Sequence, residues 1–268
     1  MSICLVVSDV DGTLVTPDRS LTPRAREAVA KIKAAGIAFT ISSSRPPAGL
    51  RMLIDELHLE QPVAPFNGGL LVRPDLSIIQ ERLVPPLMAA QCLRVLASRQ
   101  LSIWLYSARA WYVLDRHGPR VDHEEETSNF APTVVANFDG VLGEVTKIVG
   151  VSEDYPAVES AERDLQLALG DQIAATRSQP RYLDITSPDA NKGMVVQTLS
   201  QMLGIAEENI ATIGDGANDI LMFRHSGLSI AMGNASDEVK QAARFVTSSN
   251  CEDGFAEAME KFVLGKAS

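Results

Sequence analysis

The sequence predicts an α/β fold: a Rossmann-like parallel sheet assembled from both ends of the chain, with an α+β domain inserted between them. Three observations predict it. An apolar run over residues 3–8 ends on Asp9 and opens a strand, helix, strand alternation; the same alternation resumes near the carboxyl end; and the stretch between them changes to an antiparallel pattern. The chain has 268 residues, 46% of them hydrophobic, which suffices for one large core or two modest ones.

Ile3-Cys4-Leu5-Val6-Val7-Ser8 is apolar almost throughout, as suits a strand covered on both faces of a parallel sheet. Thr22 and Pro23 can supply a cap and a first helical residue for a helix over 25–35, which Gly36 closes. A strand over 37–42 follows and ends in a hydroxyl cluster. Short connections of this kind imply right-handed crossovers.

The middle of the chain reads differently. A helix over 87–99 leads to neighbouring antiparallel strands over 102–106 and 111–114, then a strand over 147–151, a helix over 157–169, and strands over 173–177 and 182–186. This places an inserted domain at 83–187 and a discontinuous core at 1–82 and 188–268, with Pro85-Pro86 and Ser187-Pro188 as hinges. The core alternation then resumes: helix 192–203, strand 210–213, helix 217–223, strand 228–231, and further elements over 236–243, 245–247 and 254–262.

Composition excludes several functions. A net charge of -10 argues against a nucleic-acid groove, which rests on clustered Lys and Arg, although a small anion still binds where cations concentrate locally. No run approaches the roughly 20 apolar residues of a membrane span, so a soluble cytoplasmic protein is expected, as a monomer or small homo-oligomer. Cys4, Cys92 and Cys251 are odd in number and far apart, which fits buried thiols rather than a disulfide framework.

Three core strands run into polar groups at their carboxyl ends: Asp9, Ser43 and Asp215. That edge is where open parallel sheets bind ligands. His117 and His123-Glu124-Glu125-Glu126 invite a second metal site, but Thr127 stands where an H-E-x-x-H helix needs its second histidine, so a solvated charge run is expected. Trp104, Tyr106, Trp111 and Tyr112 are expected to fill the core of the inserted domain for the most part.

Asp9-Val10-Asp11-Gly12-Thr13-Leu14 resembles the D-x-D-G-T-L signature of haloacid dehalogenase-type phosphatases, and Gly214-Asp215-Gly216-Ala217-Asn218-Asp219 with Met222 resembles the G-D-G-x-N-D-x-x-M signature of their Cof-like subfamily. Asn67-Gly68-Gly69, Asn191-Lys192-Gly193 and Ala231-Met232-Gly233-Asn234-Ala235 are similar to its secondary motifs. The resemblance covers essentially the whole split core, and the insertion falls where that subfamily carries a type IIB cap, the part that selects substrate.

The resemblance implies a magnesium-dependent phosphomonoester hydrolase acting on small phosphorylated metabolites, sugar phosphates foremost, through an aspartyl-phosphate intermediate. Asp9 would be the nucleophile, and Asp11 would protonate the leaving oxygen and then activate water. The Asp9 carboxylate, the Asp11 carbonyl and the Asp215 carboxylate would hold the ion. Lys192 would supply a second positive charge, and Ser43 a hydroxyl donor to the phosphoryl oxygens. Ser44, Arg45, Asn67, Gly68 and Asn218 would face phosphate or substrate, and Asp219 would orient the groups around the metal.

The charge requirement has a physical basis, since two like charges about 4 Å apart repel by about 4 kcal/mol at an effective dielectric near 20. Ser43-Ser44-Arg45 departs from the subfamily's usual Thr-Gly-Arg, with a side chain at Ser44 where glycine would let the ligand approach the backbone freely. A sugar phosphomutase of the same superfamily would use the same acids, whereas a non-catalytic sensor of phosphorylated metabolites would not require the general acid Asp11.

Overall fold

Leu5–Ser8 forms β1, and its Leu5, Val6 and Val7 side chains are wholly buried, as an apolar run in a parallel sheet requires. The structure is a computed structural model describing residues 2–265, and the chain divides into two compact units. The first takes the residues up to Ser44, Leu50–Ser77, and the chain from Asn191 onward. The second takes Arg45–Gly49 and Ile78–Ala190.

In the first unit β1 is followed by α1 (Pro23–Ala34), β2 (Ala38–Ile41), α2 (Arg51–Glu56) and β3 (Leu70–Val72). Thr22 caps α1 by accepting from the Ala25 amide at 3.1 Å, and Ala25, Ala28, Val29 and Ile32 form its buried face at helical spacing.

The second unit runs through β4 (Ile78–Glu81), α3 (Pro86–Ser98), β5 (Ser102–Tyr106), β6 (Trp111–Val113), α4 (Val121–Ser128), β7 (Pro132–Val134), β8 (Lys147–Val151), α5 (Tyr155–Leu169), β9 (Ala174–Gln179) and β10 (Tyr182–Thr186). Six of its strands form a sheet ordered β7-β6-β5-β8-β10-β9, antiparallel except for the β6–β7 pair. Cys92 and Leu96 of α3 and Leu165 of α5 share a core cluster with Leu105, Ile148, Leu183 and Ile185 of the sheet. On the other pleat of β5 and β6, the Trp104 and Trp111 rings meet edge-on at 5.3 Å, and Tyr106 stacks on Trp111 at 5.6 Å. Tyr112 is half-buried and packs against the helix-side cluster.

The chain re-enters the first unit as α6 (Lys192–Leu203), β11 (Ile210–Gly214), α7 (Ile220–Phe223), β12 (Leu228–Ala231), α8 (Asp237–Ala242), β13 (Phe245–Val246) and α9 (Gly254–Ala258). The five parallel strands are ordered β13-β12-β11-β1-β2. The chain first builds outward from β1 to β2, then crosses to pair β11 with the other edge of β1. The β1/β11 boundary is therefore the switch point of the sheet, where a crevice opens at the carboxyl ends of the strands.

Several expectations differ from what is seen. The helix expected over 217–223 is a tight 3-10 turn, Ala217–Asp219, leading into the one-turn α7, and the element expected over 254–262 is the helix α9, which widens into a π turn at Met259–Val263. Arg45–Gly49 groups with the second unit, where Gly49 lies close enough to Ser128 that a Cβ there would stand 3.5 Å from the Ser128 carbonyl oxygen. The run at His123–Glu126 is part of α4 and is not wholly solvated: Glu124 accepts from the Tyr106 hydroxyl at 3.1 Å, and Glu125 pairs with Arg116. Only Cys92 is a buried thiol; Cys4 is half-buried and Cys251 exposed. Among the described residues, no helix is long and apolar enough to cross a membrane.

Candidate active site

The strand register brings the acidic segments together. Ser8 pairs with Ile213 on one side and Ile41 on the other, so Asp9 leaves β1 beside the Gly214-Asp215 end of β11 and the Ser42-Ser43 end of β2. The Asp9 amide donates to the Ile213 carbonyl at 2.9 Å, and the Ser43 amide to that of Ala64 at 3.0 Å. Carboxylate oxygens of Asp9, Asp215 and Asp219 all lie within 4.8 Å of one another.

Lys192 opens α6, which Asn191 caps by accepting from the Met194 amide at 3.0 Å. The cap directs the first residue of the helix inward. Its Nζ lies 2.5 Å from Oδ1 of Asp9 and 2.5 Å from Oδ1 of Asp219, with its side chain only 1% exposed. Burial opposes the ammonium charge most strongly, but Asp219 and Asp9 together outweigh it and raise the Lys192 pKa above its ordinary value. Burial pushes the Asp9 carboxyl up to about 8, against the pull of Lys192 and with help from Asp219 and Asp215. Asp215 is also raised, first by burial and then by Asp219.

Asp219 is fully buried and uses both oxygens. Oδ1 takes Lys192, while Oδ2 accepts the backbone amides of Asp215 and Gly216 at 2.9 and 2.8 Å. Its carboxylate thereby fixes the turn that carries Asp215. Gly214 must be glycine for this to fit, because a Cβ there would stand 2.3 Å from the Asp219 carboxyl carbon.

Asp215 is oriented from two sides. Thr13 Oγ1 donates to its Oδ1 at 3.2 Å, and Asn234 Nδ2 donates to its Oδ2 at 3.1 Å. Gly12, at φ +84°, lets the loop after β1 pass so close that a Cβ would meet Asp215 Oδ2 at 2.2 Å. Neither Thr13 nor Asn234 was expected here as a site residue, although both lie inside motifs legible in the sequence.

The remaining expected residues fall into place individually. Asp11 is exposed in the loop after β1, and its backbone bridges to Val15. Ser43 is buried, and its carbonyl accepts the Asn67 amide at 2.7 Å. Phe66 and Asn67 both adopt left-handed backbone, at φ 53° and 55°, a strained turn that presents Asn67 Oδ1 to Asn218 Nδ2 at 3.1 Å. Gly68 follows at φ +94°, where a Cβ would meet Val195 at 2.4 Å. Ser44 is exposed and its φ is not positive, so serine meets no backbone penalty where glycine was the usual residue. Arg45 groups with the second unit, where its Nη1 donates to the Gly49 carbonyl at 3.3 Å.

Hard oxygen donors converging from the loops after β1 and β11 fit a cation such as magnesium. With Asp219 occupied by Lys192 and two amides, Asp9 and Asp215 are the carboxylates with capacity to hold it.

Comparison with known proteins shows the family. Residues 6–259 match the family described as haloacid dehalogenase-like hydrolase. The chain is 28% identical over 260 residues to a putative phosphatase of Haemophilus influenzae, covering 96% of this chain and 97% of that protein. It is also 28% identical to a 5-amino-6-(5-phospho-D-ribitylamino)uracil phosphatase of Bacillus subtilis, covering 96% and 97%. The crystal structure of a haloacid dehalogenase-like hydrolase from Bacteroides thetaiotaomicron superposes with a TM-score of 0.88 at 29% identity, covering 97% of this chain and 99% of that one.

Proposed function

Since the chain belongs to the haloacid dehalogenase-like hydrolase family, as a phosphatase-type enzyme, we propose that it hydrolyses small phosphorylated metabolites, sugar phosphates first among them, with magnesium bound at Asp9, Asp215 and the Asp11 carbonyl. The observation that carries this reading is the Lys192 ammonium held 2.5 Å from the Asp9 carboxylate, beside Asp215 at the same sheet edge. A binder of neutral ligands has no use for a buried cation set against a strand-end carboxylate. The relative from Bacillus subtilis, named for its action on a phosphorylated ribityl compound, supports a polyol-like substrate class.

The metal would supply Lewis-acid neutralisation of phosphoryl charge. The chain does the rest. An Asp9 carboxylate oxygen bonds to phosphorus as the bond to the leaving oxygen breaks, and Asp11 gives that oxygen its proton. Asp11 then takes a proton from water, whose oxygen attacks phosphorus and frees Asp9. Lys192 offsets negative charge on the phosphoryl oxygens throughout. Ser43, Ser44, Arg45, Asn67, Gly68 and Asn218 contact phosphate or substrate, and the inserted domain, expected at 83–187, confers substrate choice.

The test is release of inorganic phosphate from p-nitrophenyl phosphate and a panel of phosphorylated metabolites in magnesium. D9N should show no turnover. Wild-type rates in D9N, or formation of an isomer in place of free phosphate, would reject this assignment.

A further inference from the structure

Asn234, three residues past β12, is exposed, yet every polar atom of its amide is engaged within the first unit. Nδ2 donates to the Gly12 carbonyl at 2.9 Å and to Asp215 Oδ2 at 3.1 Å, and Oδ1 accepts the Asn250 amide at 3.1 Å. An exposed asparagine ordinarily satisfies itself with water; three specific bonds to three separate segments exhaust its two donors and anchor its acceptor.

The anchor is itself held. Asn250 is buried, and its Nδ2 donates to the Val15 carbonyl at 2.9 Å, so the loop after β1 is gripped near both ends, at Gly12 and at Val15. Ser249 Oγ and Glu252 bond at 2.7 Å and brace the turn that carries Asn250. Gly233 lets the two segments approach, since a Cβ there would stand 2.7 Å from the Ser249 nitrogen.

We infer that Asn234, seated on Asn250, is a positioning residue for the cation site: it fixes the distance between the loop after β1 and the Asp215 carboxylate. The inference rests on the proposed reading of Asp215 as a ligand. Thr13 and Asn234 each occupy one lone pair of a different Asp215 oxygen, which sets the rotation of the carboxylate and leaves further lone pairs for a cation. The same amide hydrogen-bonds Gly12, next to the Asp11 carbonyl, so carboxylate and carbonyl ligands are held in one frame.

The test uses the metal-stripped full chain and Mn2+ alone as the probe, with free ion followed by electron paramagnetic resonance. N234A and the near-isosteric N234L should each weaken Mn2+ binding about tenfold or more, the range seen when a ligand's supporting partner is removed. Their unfolding midpoints in EDTA should fall only slightly, because the position is exposed and water can replace the lost partners. In turnover, the half-saturating magnesium concentration should rise while kcat at saturating metal recovers. Wild-type Mn2+ affinity in both Asn234 variants, alongside lost binding in D215N, overturns the inference and leaves the reading of Asp215 standing. Binding by D215N as tight as wild type overturns both.

Discussion

The Lys192 ammonium and the Asp219 carboxylate stand 2.5 Å apart with side chains each only 1% exposed. Asp219 is thus the fully buried counter-ion of Lys192, and Asp9 shares that ammonium. A buried pair of this kind loses far more when one partner is removed than it contributes over an apolar substitute.

Replacing Lys192 with methionine would leave Asp219 facing its two backbone amides without its cation. K192M is expected to lose about 3–5 kcal/mol of stability, read from urea unfolding, along with all turnover. D219N is expected to keep the amide bonds through its carbonyl oxygen but to turn an NH2 group toward the Lys192 ammonium. It should unfold about 1–3 kcal/mol more easily and hydrolyse substrate at least tenfold more slowly.

At Gly12 the backbone conformation and the close approach act together. G12A must hold an L residue at φ +84° and push the Asp215 carboxylate away from a Cβ that would otherwise lie 2.2 Å off. The expected result is a large rise in the magnesium concentration needed for half-maximal activity, measured by titration of the apo-protein. An unchanged titration would show that the loop relaxes elsewhere.

Without metal, the Asp9 carboxyl keeps its proton up to about pH 8, whereas in the unfolded chain it releases it near 3.9. Across that window the native state binds more protons than the unfolded state, so this group makes the metal-free protein less stable as pH rises. In EDTA, D9N should therefore show a flatter stability profile than wild type between about pH 4 and pH 8. A steeper profile in D9N would refute the sign.

Thiol chemistry should separate the three cysteines. Cys251 is exposed, while Cys92 is wholly buried in the core of the second unit, and burial pushes its thiol up to about 12. An aromatic disulfide reagent should modify Cys251 quickly in the native protein and Cys92 only as fast as the protein unfolds. C251A should remove the fast phase, and a fast phase surviving in C251A and C4A together would contradict the burial of Cys92.

Much of this was legible along the chain. Strands 102–106, 147–151, 182–186 and 228–231 and the helix 192–203 fall where apolar pattern, caps and glycine stops place them. Other pieces carry no local signal. The three-residue β7 has no buried side chain and exists through its pairing with β6. The helix α4 starts after a left-handed Arg120 with no side-chain cap, so it is held by contacts such as Val121 in the core and Glu124 at Tyr106. The left-handed Phe66 is equally silent, because a bulky side chain takes that backbone only when surrounding packing imposes it.

By itself, the sequence determined that a parallel sheet forms and that Asp9, Ser43 and Asp215 emerge at strand ends, because strand patterning, caps and turns are properties of neighbouring residues. Tertiary structure alone decided how the polar atoms are shared: Asp219 is spent on Lys192 and the Asp215 turn, while Asn234 reaches Gly12 across 222 positions. Those partners are set by which strands lie side by side, and hydrogen bonds that short exist only once the sheet order has brought the loops together.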